Sequence, residues 1–455
     1  MLQKVPLPYS GALIEVCISA SSGDPDNEEK GLDLMQVLLV APQPFYTERG
    51  TPIAVRLLAE TLVELGHAVD ILTYSIGNDV DIDGVTLHRC RGIRGIETVP
   101  IGMSLAKLLL DLMLVARFFK LAKAGRYDVI HAVEEAIFPA LLLRPRHRAA
   151  VVYDMDSSLA DQLADLGRLP RLLRPLFDWL ERRAMARSDA VAAVCEDLAA
   201  RARAARGHET VFLLNDVPVA SEAAPPSIAS LREGVAPGRC IALYVGNLSS
   251  YQGIDLLVDA VAELAPEAPV DVLVVGGPAK AVEHYRALAA ARGVGGRVTF
   301  LGPRPLAELG GLLQQADILL SPRTKGDNTP LKVYSYMDAE RAILATDLRT
   351  HTQVLDDQAA LLVPPEPALF AAGLCRLAED PALRTRLATA AAERVRTRYS
   401  MDAFREKVAA LYRRLAVESP TPYTVAAPAT GSRAAAPVRL GSGAGMVEQS
   451  GGRAE

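Results

Sequence analysis

The chain has only five cysteines in 455 residues, Cys17, Cys90, Cys195, Cys240 and Cys375, each isolated from the others. An odd, scattered set with no Cys-x-x-Cys and no Cys/His cluster argues against a disulfide framework and against a zinc site, and it fits the reducing cytosol. An excess of one charge is also missing. With 49 basic and 54 acidic residues and a net charge of -5, no global positive field exists to hold nucleic acid, so no such partner is expected. Long apolar runs are absent too. The nearest, 108–115, is interrupted by Asp111 and closed by Arg117 and Lys120, well short of the roughly 20 residues a spanning helix needs. The N-terminal stretch carries Glu15, Asp24, Asp26, Glu28 and Glu29, where a signal peptide would be basic and then apolar. A cytoplasmic protein, soluble or peripheral, is the expectation.

What is present is an ordinary globular composition, 50% apolar and 23% charged, in a length that suits two domains. Residues 1–34 show no sustained period and pass through a polar, turn-rich run, which reads as a flexible extension. After 419 the chain is rich in Ala, Pro, Gly and Ser and cannot bury enough surface to offset its ordering entropy, so 419–455 reads as a disordered tail. Between these ends short apolar strands alternate with helical patterns, the signature of parallel sheets with crossover helices. The first series is expected at 36–41, 69–73, 127–131, 150–153, 189–194 and 210–214. The second is expected at 241–245, 271–275, 297–301, 316–320 and 343–346. Pro225-Pro226 and Pro237-Gly238 mark 220–239 as the linker between a domain at 35–219 and one at 240–400. A last helix at 401–418 carries Phe404, Val408, Leu411 and Leu415 on one stripe, a candidate for crossing back to the first domain.

Two doubly wound domains bind ligands beyond the carboxyl ends of their strands, in the cleft between them. The loop after the first strand runs through Gly50, Thr51 and Pro52; Thr51 as N-cap and Pro52 as first helical residue give a helix end able to receive an anion. The loop after 316–320 holds Arg323, Lys325, Asp327, Asn328, Thr329, Pro330, Leu331, Lys332 and Ser335. Thr329 and Pro330 again read as cap and first helical residue. Lys332 in the first turn is unfavourable beside the helix dipole unless an anion sits nearby, and Arg323 and Lys325 add two further cations. Together they make a candidate diphosphate site, with Asp327 beside it as a hydroxyl-binding carboxylate. The alternative is a solvated basic loop. The loop from Gly246 through Asn247 to Gln252 and Gly253 is a weaker phosphate candidate. In the first domain, His131 with Glu134 and Glu135, and Asp154 with Asp156, end two strands. His131 could hold a sugar hydroxyl or phosphate, or merely cap local backbone. No GxGxxG follows the first strand and no HExxH occurs, so a dinucleotide cofactor is disfavoured; no metal site is expected beyond a minor Asp-x-Asp option.

With these residues in place, the chain from about 35 to 415 resembles the family-four retaining glycosyltransferases of GT-B fold, two facing Rossmann-like domains. The resemblance rests on Gly50, Gly66-His67, His131, 246–253 and 327–347. It implies a nucleotide-diphosphate sugar as substrate, bound mainly by the second domain, with no cofactor, and a glycolipid or polysaccharide acceptor on the first. It gives His131 the sugar or its phosphate, Asp327 the sugar hydroxyls, and Gly50 with 328–332 the phosphates; Glu134, Glu135, Asp154 and Asp156 fall on the acceptor side. In the family's Glu-x7-Glu motif the matching positions are Asp327 and Ser335, so the second carboxylate, which takes the ribose, is lost. The family's Arg and Lys clamp falls at Asn247 and Gln252, and Arg323, Lys325 and Lys332 are the available replacements. The implied chemistry is front-face substitution, the departing diphosphate helping to deprotonate the acceptor. The segment 104–126, with Lys107, Arg117, Lys120, Lys123 and Arg126 among Leu, Met and Phe, is a candidate membrane-surface helix at the inner face, or a core helix with a basic edge. Two other readings stay open, a nucleotide-sugar epimerase of the same fold and a binding protein whose transferase site has decayed.

Overall fold

The computed structural model describes residues 2–6, 13–17, 34–99, 104–124, 127–147, 149–164, 168–219 and 230–418. The expected tail at 419–455, positions 220–229 of the expected linker and most of the 1–34 extension lie outside the described residues. Within that extension β1 (Leu2–Pro6) and β2 (Leu13–Cys17) pair antiparallel with each other and, among the described residues, with no other strand. The sequence, lacking a period there, does not announce this hairpin.

Two parallel sheets carry the rest. β3 (Gln36–Val40), β4 (Ala68–Thr73), β5 (Val85–Arg89), β6 (Val129–Val133), β7 (Ala150–Met155), β8 (Ala190–Ala193) and β9 (Val211–Leu213) form the first, in the order β5-β4-β3-β6-β7-β8-β9. β10 (Cys240–Val245), β11 (Val270–Val275), β12 (Val298–Gly302), β13 (Ile318–Ser321), β14 (Ala342–Thr346) and β15 (Leu361–Val363) form the second, in the order β12-β11-β10-β13-β14-β15. β6, β8 and β14 are buried at every residue. Helices cover both faces of each sheet, so apolar residues run consecutively instead of alternating. β5 and β15 escape the sequence pattern because β5 lies at a half-buried edge with Thr86, His88 and Arg89, and β15 is three residues long.

In each sheet the chain winds outward from one strand and then returns to start on its other side. That reversal falls between β3 and β6 in the first sheet and between β10 and β13 in the second. At such a point the loops leaving the strands diverge and open a crevice. The loops carrying Gly50, Glu134, Gly246 and Asp327 leave these four strands.

The helix Met401–Glu418 follows the second domain in sequence yet buries Phe404, Val408, Leu411, Tyr412 and Leu415 in the core of the first, with Val37, Leu39 and Leu62. Each such side chain contributes about 1.5–3 kcal/mol of burial, which ties the end of the second domain to the first. Polar bonds also cross between the domains. Asp197 N–H donates to Gln353 Oε1 at 2.9 Å and its carboxylate meets Arg349 at 2.7 Å. Glu48 Oε2 accepts from Leu306 N–H at 2.9 Å, and Asn328 Nδ2 donates to the Asp156 carbonyl at 3.2 Å.

Candidate active site

Both helix starts differ from expectation, one beginning a residue later and the other two residues earlier. The helix Leu331–Asp338 is capped by Pro330, whose extended backbone stops it from being the first helical residue, and no side chain caps it. Thr329, 2% exposed, has a hydroxyl without a hydrogen bond. The helix Gly50–Glu64 likewise begins at Gly50 behind an uncapped Arg49, so Thr51 sits in its first turn and turns its hydroxyl to Asp156. Gly50 is exposed, and a Cβ there would meet nothing within 4 Å. Neither helix satisfies its first N–H groups with a capping side chain, which leaves them available to a ligand.

The three expected cations part company. Arg323 is buried, and its guanidinium is consumed by its own loop, donating to the Lys325 carbonyl at 2.6 Å and to Asn328 at 3.0 and 3.1 Å, while stacking over Tyr251. It shapes the loop and is no free phosphate ligand, a correction to the expected role. Lys325 is exposed on the same loop. Lys332 alone points inward. Its Nζ donates to Gln252 Oε1 at 3.0 Å and lies 3.8 Å from the centroid of the Tyr244 ring. A Cβ at Gly246, where φ is 152°, would sit 3.0 Å from the Tyr244 hydroxyl and 3.4 Å from this Nζ, so only glycine leaves the place open. Burial, and then Arg323, hold the Lys332 ammonium well below the ordinary lysine range. Asn247 is exposed, its side chain accepting from Ser249 N–H at 3.1 Å.

Asp327 is half-exposed. It lies 3.8 Å from Arg201, whose other bond, 2.7 Å, goes to Asp161 of the first domain. Burial and the neighbouring Asp161 raise its carboxyl above the usual range. Ser335 is buried, and its Oγ accepts from Val219 N–H at 3.1 Å, so it is engaged by the chain leaving the first domain.

On the first-domain side His131 lies in the middle of β6, not at its end, and is wholly buried. Its Nδ1 meets the Tyr412 hydroxyl at 3.0 Å with the rings stacked, and its Nε2 lies 3.2 Å from Asp154 Oδ2. The expected direct contact with sugar is therefore corrected: His131 reaches the crevice through Asp154. Glu135 is also corrected, since it turns away to pair with buried Lys107 at 2.6 Å, which removes Lys107 from the expected basic edge. Glu134 occupies the left-handed region at φ 49°, a costly conformation for a residue other than glycine and one that recurs at functional sites. Its Oε1 accepts from Ser157 Oγ at 2.7 Å.

Sequence reasoning passed over Asp216, three residues beyond β9. Its position in a loop after a strand's carboxyl end was the available signal. Burial and then Asp154 push its carboxyl up to about 7. Glu135 is likewise raised to about 7, by burial and Glu134, against the pull of Lys107. A carboxyl with a raised folded pKa contributes stability below its unfolded value and loses it as pH rises through the folded one. The melting temperature should therefore rise by roughly 2–4 °C between pH 8 and 6.5, and Asp216→Asn should flatten part of that rise. Below pH 6.5 burial of His67, His147 and His351, all held below the ordinary imidazole range, acts the other way. A calorimetric series in which the melting temperature does not increase as pH is lowered from 8 to 6.5 would refute this.

Comparison with known proteins decides what this crevice belongs to. The family described as "Glycosyl transferase 4-like domain" matches residues 49–215, and "Glycosyl transferases group 1" matches residues 239–380. The chain belongs to these glycosyltransferases. Its sheets, both parallel and Rossmann-like, make the GT-B fold. The glycosyltransferase is 27% identical over 388 residues to a phosphatidyl-myo-inositol mannosyltransferase of Mycolicibacterium smegmatis, covering 83% of this chain and 93% of that one. It is 26% identical to an alpha-D-kanosaminyltransferase of Streptomyces kanamyceticus, over 54% of this chain and 65% of that protein. With a D-inositol 3-phosphate glycosyltransferase of Corynebacterium diphtheriae the identity is 30%, over 37% of this chain and 41% of the relative. The chain thus spans less than two thirds of these last two relatives. Among solved structures, sucrose-phosphate synthase from Thermosynechococcus elongatus superposes with a TM-score of 0.70 at 21% identity, over 84% of this chain and 99% of that one. Anabaena HepE in complex with UDP-glucose does so at 0.63 and 17%, over 82% and 98%. These likenesses carry the fold. No helix among the described residues is long and apolar enough to cross a membrane.

Proposed function

We propose that this glycosyltransferase moves a sugar from a nucleotide-diphosphate donor to a hydroxyl of an envelope glycolipid or polysaccharide, with retention of anomeric configuration. The observation that carries the donor half is Lys332, a single inward cation beside the bare start of the helix Leu331–Asp338 and an obligatory glycine, Gly246. Here the diphosphate lies between the Gly246 turn and the start of the helix Leu331–Asp338, and Lys332 takes the place of the cations absent at Asn247 and Gln252. Breaking the bond to the sugar concentrates negative charge on the leaving phosphate. Fixed N–H dipoles and an ammonium in a water-poor crevice stabilise that charge without reorganising, and no metal ion is needed for the step. The leaving phosphate oxygen then takes the acceptor's proton as the new bond forms on the same face. Asp327 holds sugar hydroxyls, and Asp154, fixed by His131, lines the acceptor side. Loss of the ribose carboxylate at Ser335 weakens ribose recognition in this reading.

The name of the mannosyltransferase relative and an exposed apolar face support the glycolipid acceptor. The helix Leu105–Lys123 leaves Leu105 72%, Leu108 50% and Leu112 56% exposed, with Lys120 and Lys123 exposed at its far end. Such a face suits contact with acidic lipid. The protein should co-sediment with phosphatidylglycerol vesicles and not with phosphatidylcholine vesicles; equal behaviour with both would refute the contact.

Incubation of the full chain with UDP- and GDP-sugars tests the reaction. Sugar transfer, or slow donor hydrolysis releasing the retained anomer, is the expected result. Interconversion of free donors would mark an epimerase, and nucleotide binding without any turnover a decayed site.

A further inference from the structure

Two polar side chains are wholly buried in the first domain and meet there. His131 stands in the middle of β6 between Ile130 and Ala132, and Tyr412 lies on the stripe of the helix Met401–Glu418 that also buries Val408, Leu411 and Leu415. A valine on such a strand and a phenylalanine on such a helix would fill the space without a polar cost, whereas a buried imidazole and phenol must each be paired. Here they pair with each other. The Tyr412 hydroxyl is 3.0 Å from His131 Nδ1, and the two rings are 7° from parallel. The other ring nitrogen, Nε2, lies 3.2 Å from Asp154 Oδ2. Asp154 is the one of the three that solvent reaches, its side chain 16% exposed. It lies on β7, and the loop after β7 meets the second domain where the Asp156 carbonyl accepts from Asn328 Nδ2.

What each atom can do fixes the direction of these contacts. Among the described residues the Tyr412 hydroxyl has no other hydrogen-bond partner. Burial, and then Asp154, keep the phenol well above its ordinary range, so it retains its proton and has Nδ1 alone to give it to. His67, whose ring lies 5.2 Å from Tyr412, does not compete: its Nδ1 accepts from Met35 N–H at 3.3 Å and its Nε2 makes no hydrogen bond. A ring nitrogen that accepts carries no proton, which leaves the imidazole proton on Nε2, the nitrogen that faces Asp154. At 3.2 Å this second contact is close but not aligned as a hydrogen bond, and such bonds tighten when substrate is present.

We propose that Tyr412 is a positioning residue of the transfer site: by occupying His131 Nδ1 it fixes the imidazole proton on Nε2, and that N–H orients the Asp154 carboxylate to receive the acceptor's hydroxyl on the first-domain wall of the crevice. This deepens the transferase reading and rests on it. Tyr412 arrives on the helix that follows the second domain in sequence, and the seat of that helix on the first domain is held by Lys407 Nζ on Asn215 Oδ1 at 3.2 Å and by Arg405 on Glu64 at 2.9 Å. The last helix thus supplies part of the site as well as joining the domains.

Nitrogen NMR of the full chain labelled in its histidines, with no substrate present, tests the arrangement first. The His131 signals, assigned by their absence from His131→Asn or by their shift in Asp154→Asn, should show a protonated Nε2 and an unprotonated Nδ1. Tyr412→Phe should move Nδ1 toward the position of a nitrogen without a hydrogen bond. A proton on Nδ1 in the unaltered chain, or an unmoved Nδ1 in Tyr412→Phe, would overturn the inference. Turnover of UDP-glucose or GDP-mannose tests the consequence. Tyr412→Phe should lower kcat about tenfold, as for one lost buried hydrogen bond, leave UDP or GDP affinity unchanged, and lower kcat no further in an Asp154→Asn background. An equal loss in both backgrounds would make Tyr412 a packing residue only and overturn the inference. Were Tyr412→Phe to misfold, the proton position in the unaltered chain would still decide. Donor turnover with the wrong tautomer would sink this inference alone, whereas no nucleotide binding at all would sink the transferase reading.

Discussion

Lys332→Ala is expected to weaken nucleoside-diphosphate binding at least tenfold, about 1.4 kcal/mol or more. Lys332 is the one cation of its loop that the structure turns into the crevice, with Gln252 and the Tyr244 face around it. Its ammonium is held well below the ordinary range by burial and by Arg323. A diphosphate placed beside it would raise that value again, so binding should take up protons wherever pH lies between the two values. Calorimetry in buffers of different ionisation enthalpy reads that uptake directly. The alanine variant should lose both affinity and uptake; unchanged affinity would remove Lys332 from the site.

Asp327→Asn should leave nucleotide affinity within about twofold while lowering kcat roughly a hundredfold, about 2.7 kcal/mol. The isosteric amide keeps the shape of the loop. It removes the charge that hydrogen bonds to sugar hydroxyls would use as positive character develops on the ring. Asp327 also neighbours Arg201, which is bound to Asp161, and an inter-domain latch would explain a deficit equally well. Arg201→Ala separates the two: a latch predicts the same loss of kcat in both variants, a sugar contact a much smaller loss for Arg201→Ala. Full activity in Asp327→Asn would contradict both.

The positions of most strands along the chain and the two crevice loops were legible because parallel sheets covered on both faces write themselves as unbroken apolar runs, and glycines and prolines punctuate the turns between. β5 and β15 were not, one polar at an edge and the other three residues long. Charge type was legible at the candidate site, but direction was not. Nothing in the order Arg323, Lys325, Lys332 tells which side chain its own loop will consume; that depended on Asn328 and on carbonyls brought round by the turn. His131 was found by its place near a strand end, yet its burial follows from Tyr412, 281 residues away. Asp216 gains its meaning only from Asp154 and Asp156, which the fold brings beside it.

Titration calorimetry of the unaltered full chain with UDP, GDP and ADP tests the central claim most directly. The account predicts that at least one binds with micromolar affinity, single-site stoichiometry and proton uptake. Absence of binding by all three at millimolar concentration would contradict a diphosphate seat in the crevice.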